Sequence, residues 1–157
     1  MNGNTQVASR PAYKLAALAF VIVFVGYLMT LAPSVTFWDD GEFVATAHIL
    51  GVPHPPGTPL FIIIGHTWDW LIKGLPTAFK LNMMAAFFSA GSAALLFLFM
   101  FEALRSGSEE MEEKAGKIFR VGGAFAAILV TYFAFTVWQI SIDSGKVYPI
   151  AMLLIAL

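Results

Sequence analysis

The sequence predicts an all-α integral membrane protein. It reads as three full transmembrane helices, the start of a fourth, and an amphipathic juxtamembrane helix in the first outer loop. Three observations predict this. The 157 residues are 59% hydrophobic, 15% aromatic and 12% charged, about half the charge of a soluble domain. Apolar runs recur at lengths that cover a hydrocarbon core of about 30 Å. The basic residues sort to alternate ends of those runs, as the positive-inside bias requires. Residues 1–157 form one transmembrane domain, with spans at about 13–32, 81–104, 121–139 and from 149 onward, and an outer loop at 33–80.

Composition also excludes partners. The net charge is −1, so nothing suggests nucleic-acid binding. There is no cysteine, hence no disulfide framework and no thiolate metal site. Arg10 and Lys14 precede the first apolar run, Leu15 to Ala32. No small-residue cleavage site follows it; Pro33 and an aromatic-acidic loop do, so the run reads as a retained anchor.

Taken in order, span one has its N-terminus on the cytoplasmic side and emerges at Pro33 on the outer face. A short helix follows, with Asp40 as N-cap and Gly41 and Glu42 in the first turn, where an anion favours the helix dipole. Phe43, Ala47 and Leu50 share one face, Gly51 is the expected C′ residue, and Pro53 blocks continuation. The cluster from Pro53 to Gly57 is a rigid, partly polyproline turn. Pro59 to Leu75 is too short to span, because His66, Asp69 and Lys73 interrupt it, and Trp68 and Trp70 suit a headgroup region. It reads as a helix lying on the outer face.

The charge count supports the flat helix. Leu81 to Leu104 is a span ending at Arg105. The following loop, 105–120, holds Arg105, Lys114, Lys117 and Arg120, four of the nine basic residues. They fall on the cytoplasmic side only if 59–75 does not cross. Glu109, Glu110, Glu112 and Glu113 supply i,i+4 partners for Lys114 and Lys117 on a short surface helix. Span three, Val121 to Gln139, carries small residues suited to close packing and leads to an outer segment ending at Lys146-Val147-Tyr148. Pro149 to Leu157 is a fourth apolar run too short to cross, so the chain reads as the N-terminal part of a longer one.

The ionisable residues concentrate beside the membrane, where they are costly unless functional or paired. Asp39, Asp40 and Glu42 offer a general base with supporting carboxylates, because neighbouring like charges raise one pKa. The plainer reading of the same residues is a helix cap with solvated acids. His54 could contact a phosphate or polarise a leaving group; the plainer reading is a turn histidine wedged between prolines. His48 and His66 read as surface residues of amphipathic helices. Lys146 could bind a lipid phosphate as a point charge or pair with Asp143, against a plain snorkelling role. A divalent ion held by His48, His54 and the acids is conceivable, since imidazole and carboxylate suit several such ions, but the spacing is that of no known motif; no cofactor is expected, with a divalent metal as the alternative.

Two motifs at fixed spacing carry a resemblance: Trp38-Asp39-x-Gly41-Glu42-Phe43, and Gly51-Val52-Pro53-His54-Pro55-Pro56-Gly57-Thr58-Pro59-Leu60. With Leu31 to Thr36 and Asn82, they make the chain resemble a bacterial multi-span family of unknown function. That family is related to transmembrane O-mannosyltransferases of the GT-C glycosyltransferase superfamily. The likeness runs from Tyr27 to about Tyr148. It implies transfer of a sugar from a polyprenyl-phosphate carrier to an acceptor hydroxyl, on a protein or glycan, at the outer face. It also implies an acidic residue of the first outer loop as catalytic base, here Asp39, and a horizontal helix after the His-Pro-Pro turn. Beside that base, the residues themselves offer Asp40 and Glu42 as further catalytic candidates, and His54, Lys146 and Tyr148 as candidates for substrate binding. In a bacterial cell this is a multi-pass inner-membrane protein with 33–80 in the periplasm. Two departures stand out: Lys146-Val147-Tyr148 replaces the family's usual Glu-Val-Tyr, and Asp40 replaces a common Ser. They leave a second reading, a non-catalytic relative serving as a small transmembrane subunit of a larger membrane complex.

Overall fold

The computed structural model describes residues 12–36, 39–56, 58–143 and 147–157. Among them the chain is all-helical, in seven α-helices: α1 Tyr13–Met29, α2 Asp40–Ile49, α3 Pro59–Leu71, α4 Thr77–Ala103, α5 Glu113–Tyr132, α6 Phe135–Ser141 and α7 Tyr148–Ala156. A single 3-10 turn, Ser106–Ser108, precedes α5.

α4 is the axis. At 27 residues and 1.5 Å per residue it is about 40 Å long, and every other α-helix packs against it. Alanine explains how. Ala86, Ala90, Ala93 and Phe97 recur at helical spacing on α4 and meet Ala16, Ala19, Val23 and Tyr27 of α1 and Ala124, Ile128 and Tyr132 of α5. Small side chains let helix backbones approach closely, which is how apolar helices associate where no water is squeezed out between them. Buried polar groups thread this seam. The Tyr27 hydroxyl donates to the Tyr132 carbonyl at 2.6 Å, and the Tyr132 and Ser92 hydroxyls share a hydrogen bond of 2.7 Å.

A second cluster joins the outer-loop helices to the start of α4. Phe43 and Ala47 of α2 and Phe61 and Ile62 of α3 close on Leu81, Met84 and Ile150. Gly65 lies where α3 comes closest: a Cβ there would sit 3.1 Å from the Ala47 Cβ and 3.3 Å from the Leu81 Cδ2. A branched side chain has no room. Gly65→Val is therefore expected to cost about 1–3 kcal/mol through overpacking, read as a lower thermal midpoint of the detergent-solubilised protein. An unchanged midpoint would mean that α3 can lift off α2 without penalty.

Among the described residues, two helices, α4 and α5, are long and apolar enough to cross a membrane. α1 is apolar but only 17 residues long, ending three residues before the expected Ala32. The continuous helix expected over 121–139 is divided: Ala134 is extended, with ψ 138°, and separates α5 from α6. The cause is local. The Tyr132 carbonyl, which an unbroken helix would give to the N–H of Thr136, is taken by the Tyr27 hydroxyl. α5 also begins earlier than expected, at Glu113. The surface helix expected from the glutamates is thus a turn around Ser106–Ser108 followed by the first turns of α5. The ion pair observed there is Arg105 with Glu102, at 3.0 Å, and Arg120 lies over the Phe101 ring at 4.9 Å.

α2 forms where expected, with Phe43 and Ala47 buried, but its ends shift by one residue. Asp39, not Asp40, is the N-cap, and Leu50, not Gly51, takes the left-handed conformation at the C-terminus, with φ 53°. Gly51 instead donates its N–H to the Thr46 carbonyl at 2.8 Å. Leu50 is consequently exposed rather than part of the buried face. α3 follows the turn with Pro59 in its first position, where a missing N–H costs nothing. It buries Phe61, Ile62, Gly65 and Asp69 and leaves Leu60, Ile63, Trp70 and Leu71 outside.

Candidate functional site

The site is built on the N-terminus of α2. Asp39 caps the helix without a side-chain hydrogen bond to it, so its carboxylate stands exposed at the positive end of the helix dipole. One turn on, Glu42 projects from the same end. The proline turn after α2 then folds back and delivers His54 to it. Glu42 Oε1 accepts the His54 backbone N–H at 2.6 Å, and Glu42 Oε2 lies 2.7 Å from His54 Nδ1. The Phe43 ring meets the imidazole edge-on, centroids 5.8 Å apart, and is itself backed by Phe61 at 5.4 Å. His54 is thus fixed by a carboxylate on one side and by the hydrophobic cluster on the other.

The pairing sets protonation. The hydrogen bonds from the His54 ring and backbone hold the Glu42 carboxyl below its ordinary value. The Glu42 carboxylate, by hydrogen bond and charge, raises His54, with a further contribution from Asp39. Both members sit in solvent, so this is a bias toward the ion pair rather than a source of stability.

Asp39, Glu42 and His54 each present a ligand atom, all within 4.8 Å of one another. Two carboxylates and an imidazole at that spacing are a donor set that several divalent ions accept. His48, which the sequence grouped with them, faces elsewhere: its Nδ1 lies 2.8 Å from Asp69 Oδ2. His66 is likewise spent between helices, its Nδ1 being 2.9 Å from the Ala47 carbonyl.

Asp40 behaves differently from its neighbours. It is fully buried, and its Oδ2 accepts the Thr36 N–H at 2.5 Å and the Thr36 hydroxyl at 3.3 Å. Tyr148 opens α7, about half exposed. Lys146 lies outside the described residues, as do Trp38 and Gly57. Beside the turn, Thr58, Pro59, Leu60 and Phe61 face Val147, Ile150, Ala151 and Leu154 of the α7 segment across an almost wholly apolar groove of about 270 Å³.

Two buried polar groups near the site were not among the site residues read from the sequence. The first is the pair Asp69–Lys80. Both side chains are less than a tenth exposed and form an ion pair, and Lys80 also donates to the Asp69 and Ile72 carbonyls at 2.9 and 3.2 Å. The second is Asn82, whose Nδ2 donates to the Ala32 and Ser34 carbonyls. In the sequence, Asp69 was marked only as an interruption of an apolar run, and Asn82 only as one of the residues carrying the resemblance.

The chain is similar to two proteins of known family. Over 161 aligned residues, covering 99% of the chain and 21% of the relative, it is 30% identical to "Protein O-mannosyl-transferase TMEM260" of Mus musculus. It is 38% identical over 85 residues to "Protein O-mannosyl-transferase tmem260" of Dictyostelium discoideum, covering 53% of the chain and 10% of that relative. The chain thus spans about a fifth or less of the length of these relatives. No solved structure matches it. The model of the family described as "Protein O-mannosyl-transferase TMEM260 N-terminal domain" matches residues 39–157, beginning at the candidate base itself, and the chain belongs to that family.

Proposed function

We propose that this chain is the N-terminal part of a membrane glycosyltransferase of GT-C type. It would move a sugar from a polyprenyl-phosphate carrier to an acceptor hydroxyl on the outer face of the membrane. The observation that carries the reading is the convergence of Asp39, Glu42 and His54 at the exposed end of α2, in a chain of the O-mannosyl-transferase family. Asp39 is the one carboxylate of the three on α2 that is neither buried nor hydrogen-bonded to His54. It would take the acceptor proton as the hydroxyl attacks the anomeric carbon and the lipid phosphate departs. His54, biased toward the imidazolium by Glu42, would face the phosphate as a donor. The apolar groove between the start of α3 and α7 would offer a bed for the first isoprene units. The test is turnover of a panel of lipid-phosphate sugars by the full-length protein; no turnover with any donor would favour a non-catalytic subunit.

The same reading carries a topology: spans at α1, α4 and the α5–α6 pair, α7 beginning a fourth, and α3 lying flat. The contacts support it. The Ala32 N–H donates to the Ile142 carbonyl at 3.1 Å, so the first loop and the 142–143 segment share one end of the bundle. The Arg105–Glu112 turn is at the other end of α4. With cysteine introduced by Ser34→Cys or Ser106→Cys, an impermeant thiol reagent added outside is expected to label only the first. Labelling of the second from outside would reverse the orientation and remove the argument for a flat α3.

A further inference from the structure

Asn82 lies in the second turn of α4 and is fully buried. Its Nδ2 donates to the Ala32 carbonyl at 2.9 Å and to the Ser34 carbonyl at 3.1 Å. The same short segment is held from a second side by the Ala32 N–H on the Ile142 carbonyl, at 3.1 Å. Two residues further on, the Thr36 N–H donates to Asp40 Oδ2 at 2.5 Å, and Asp40 too is fully buried. The connection between α1 and α2 is therefore gripped at its start by α4 and at its end by the first helical residue of α2. Asp39 is the residue immediately outside that second grip.

We propose that Asn82 and Asp40 are positioning residues for Asp39. Neither is one of the three residues of the exposed cluster; together they fix where the α2 N-terminus stands relative to α4, and so where the Asp39 carboxylate is offered to an acceptor. A carboxamide suits the first task. It donates without carrying charge, so it can bridge two carbonyls inside the protein without the desolvation cost of a lysine or arginine. A carboxylate suits the second, since an anionic acceptor makes a short, strong bond to a backbone N–H. The physical expectation is kinetic: a displacement of about 1 Å in a reacting group can cost about 100-fold in rate. This rests on the reading of Asp39 as the base, and the experiment separates the two ideas.

The test uses the full-length protein, with lipid-phosphate sugar turnover and amide hydrogen exchange at Thr36 as separate readouts. Asn82→Leu keeps the volume and removes both donors. It is expected to lower kcat by about 10- to 100-fold, to leave both KM values within about twofold, and to speed exchange of the Thr36 amide. Asn82→Ser, which can reach one carbonyl at most, should fall between and serves if the leucine variant does not fold. Asp40→Asn retains an oxygen acceptor for Thr36 but loses the charge that strengthens the bond, so it should fall between the unmodified protein and Asp40→Ala, which should resemble Asn82→Leu. Unchanged kcat and unchanged Thr36 exchange in both Asn82 variants would overturn the proposal. So would an equal loss in Asp40→Asn and Asp40→Ala, which would show that the charge acts rather than the bond. If Asp39→Asn is itself silent, the base assignment falls, and the exchange readout alone then decides whether the grip exists.

Discussion

Asp39→Asn is expected to lower sugar transfer by the full-length protein by about 100- to 10,000-fold, the range for removal of a general base. Fold loss is not the cause to anticipate. Asn is as good an N-cap as Asp, and Asp39 makes no side-chain bond to the helix it caps. Binding of the lipid-phosphate sugar should survive, because the acceptor rather than the donor meets the base. The loss should therefore appear in kcat, with donor affinity nearly unchanged. The same substitution at Glu42 should behave differently. Glu42→Gln keeps an acceptor for the His54 N–H but removes the charge that raises the imidazole, so its effect should be largest between the ordinary imidazole range and the raised value, and should close at higher pH where His54 is neutral in both proteins. Equal turnover by Asp39→Asn and the unmodified protein would remove Asp39 as the base.

Lys80→Met is expected to be the most destabilising single change, at about 3–5 kcal/mol, because it strands a buried carboxylate. Burial by itself would raise the Asp69 carboxyl. Hydrogen bonds from Lys80, His48 and Thr77, with the Lys80 charge, more than offset this and hold it below its ordinary value. A depressed carboxyl contributes stability that is present above the unfolded-state pKa of about 4. That contribution is lost as pH falls through the lower folded value. Thermal unfolding in detergent should thus show an acid-side loss in the unmodified protein that is absent from Lys80→Met. Asp69→Asn should cost less, since Lys80 keeps the Asp69 and Ile72 carbonyls. The double change Lys80→Met with Asp69→Leu should recover most of the loss, because a well-packed apolar pair commonly replaces a buried ion pair at little cost. A Lys80→Met penalty below about 1 kcal/mol would mean that solvent reaches the pair.

The helices were legible wherever a long apolar run or a proline marked them. α4 was read within four residues at its start, and α3, read as too interrupted to be a span, is a helix of 13 residues. The misreadings share a cause: each depended on a contact from a distant part of the chain. Nothing in Val121 to Gln139 shows that Tyr27, more than a hundred residues earlier, will take the Tyr132 carbonyl and end the helix there. The capping error at Asp40 is similar. Either of two adjacent aspartates can cap, and only the Thr36 N–H, reached through the fold, turns Asp40 inward. His54 beside Glu42 was half legible, since both were singled out but nothing in a separation of twelve residues says they touch. Asp69 and Lys80 were invisible as a pair, because eleven residues across a turn is no period of any regular element.

The tyrosine pair in the alanine seam sets alignment. Alanine faces are smooth and nearly self-similar from one turn to the next, so α1, α4 and α5 could slide past one another by about 5.4 Å with little change in packing. The bonds from Tyr27 to Tyr132 and from Tyr132 to Ser92 exist at only one setting of the three helices. A slip of one turn would leave two hydroxyls and a carbonyl stranded among apolar side chains, at roughly 1–3 kcal/mol for each unpaired group. The seam supplies close approach and the tyrosines act as its vernier, so that helices inserted one after another settle with the α1–α2 connection opposite Asn82 rather than a turn above or below it.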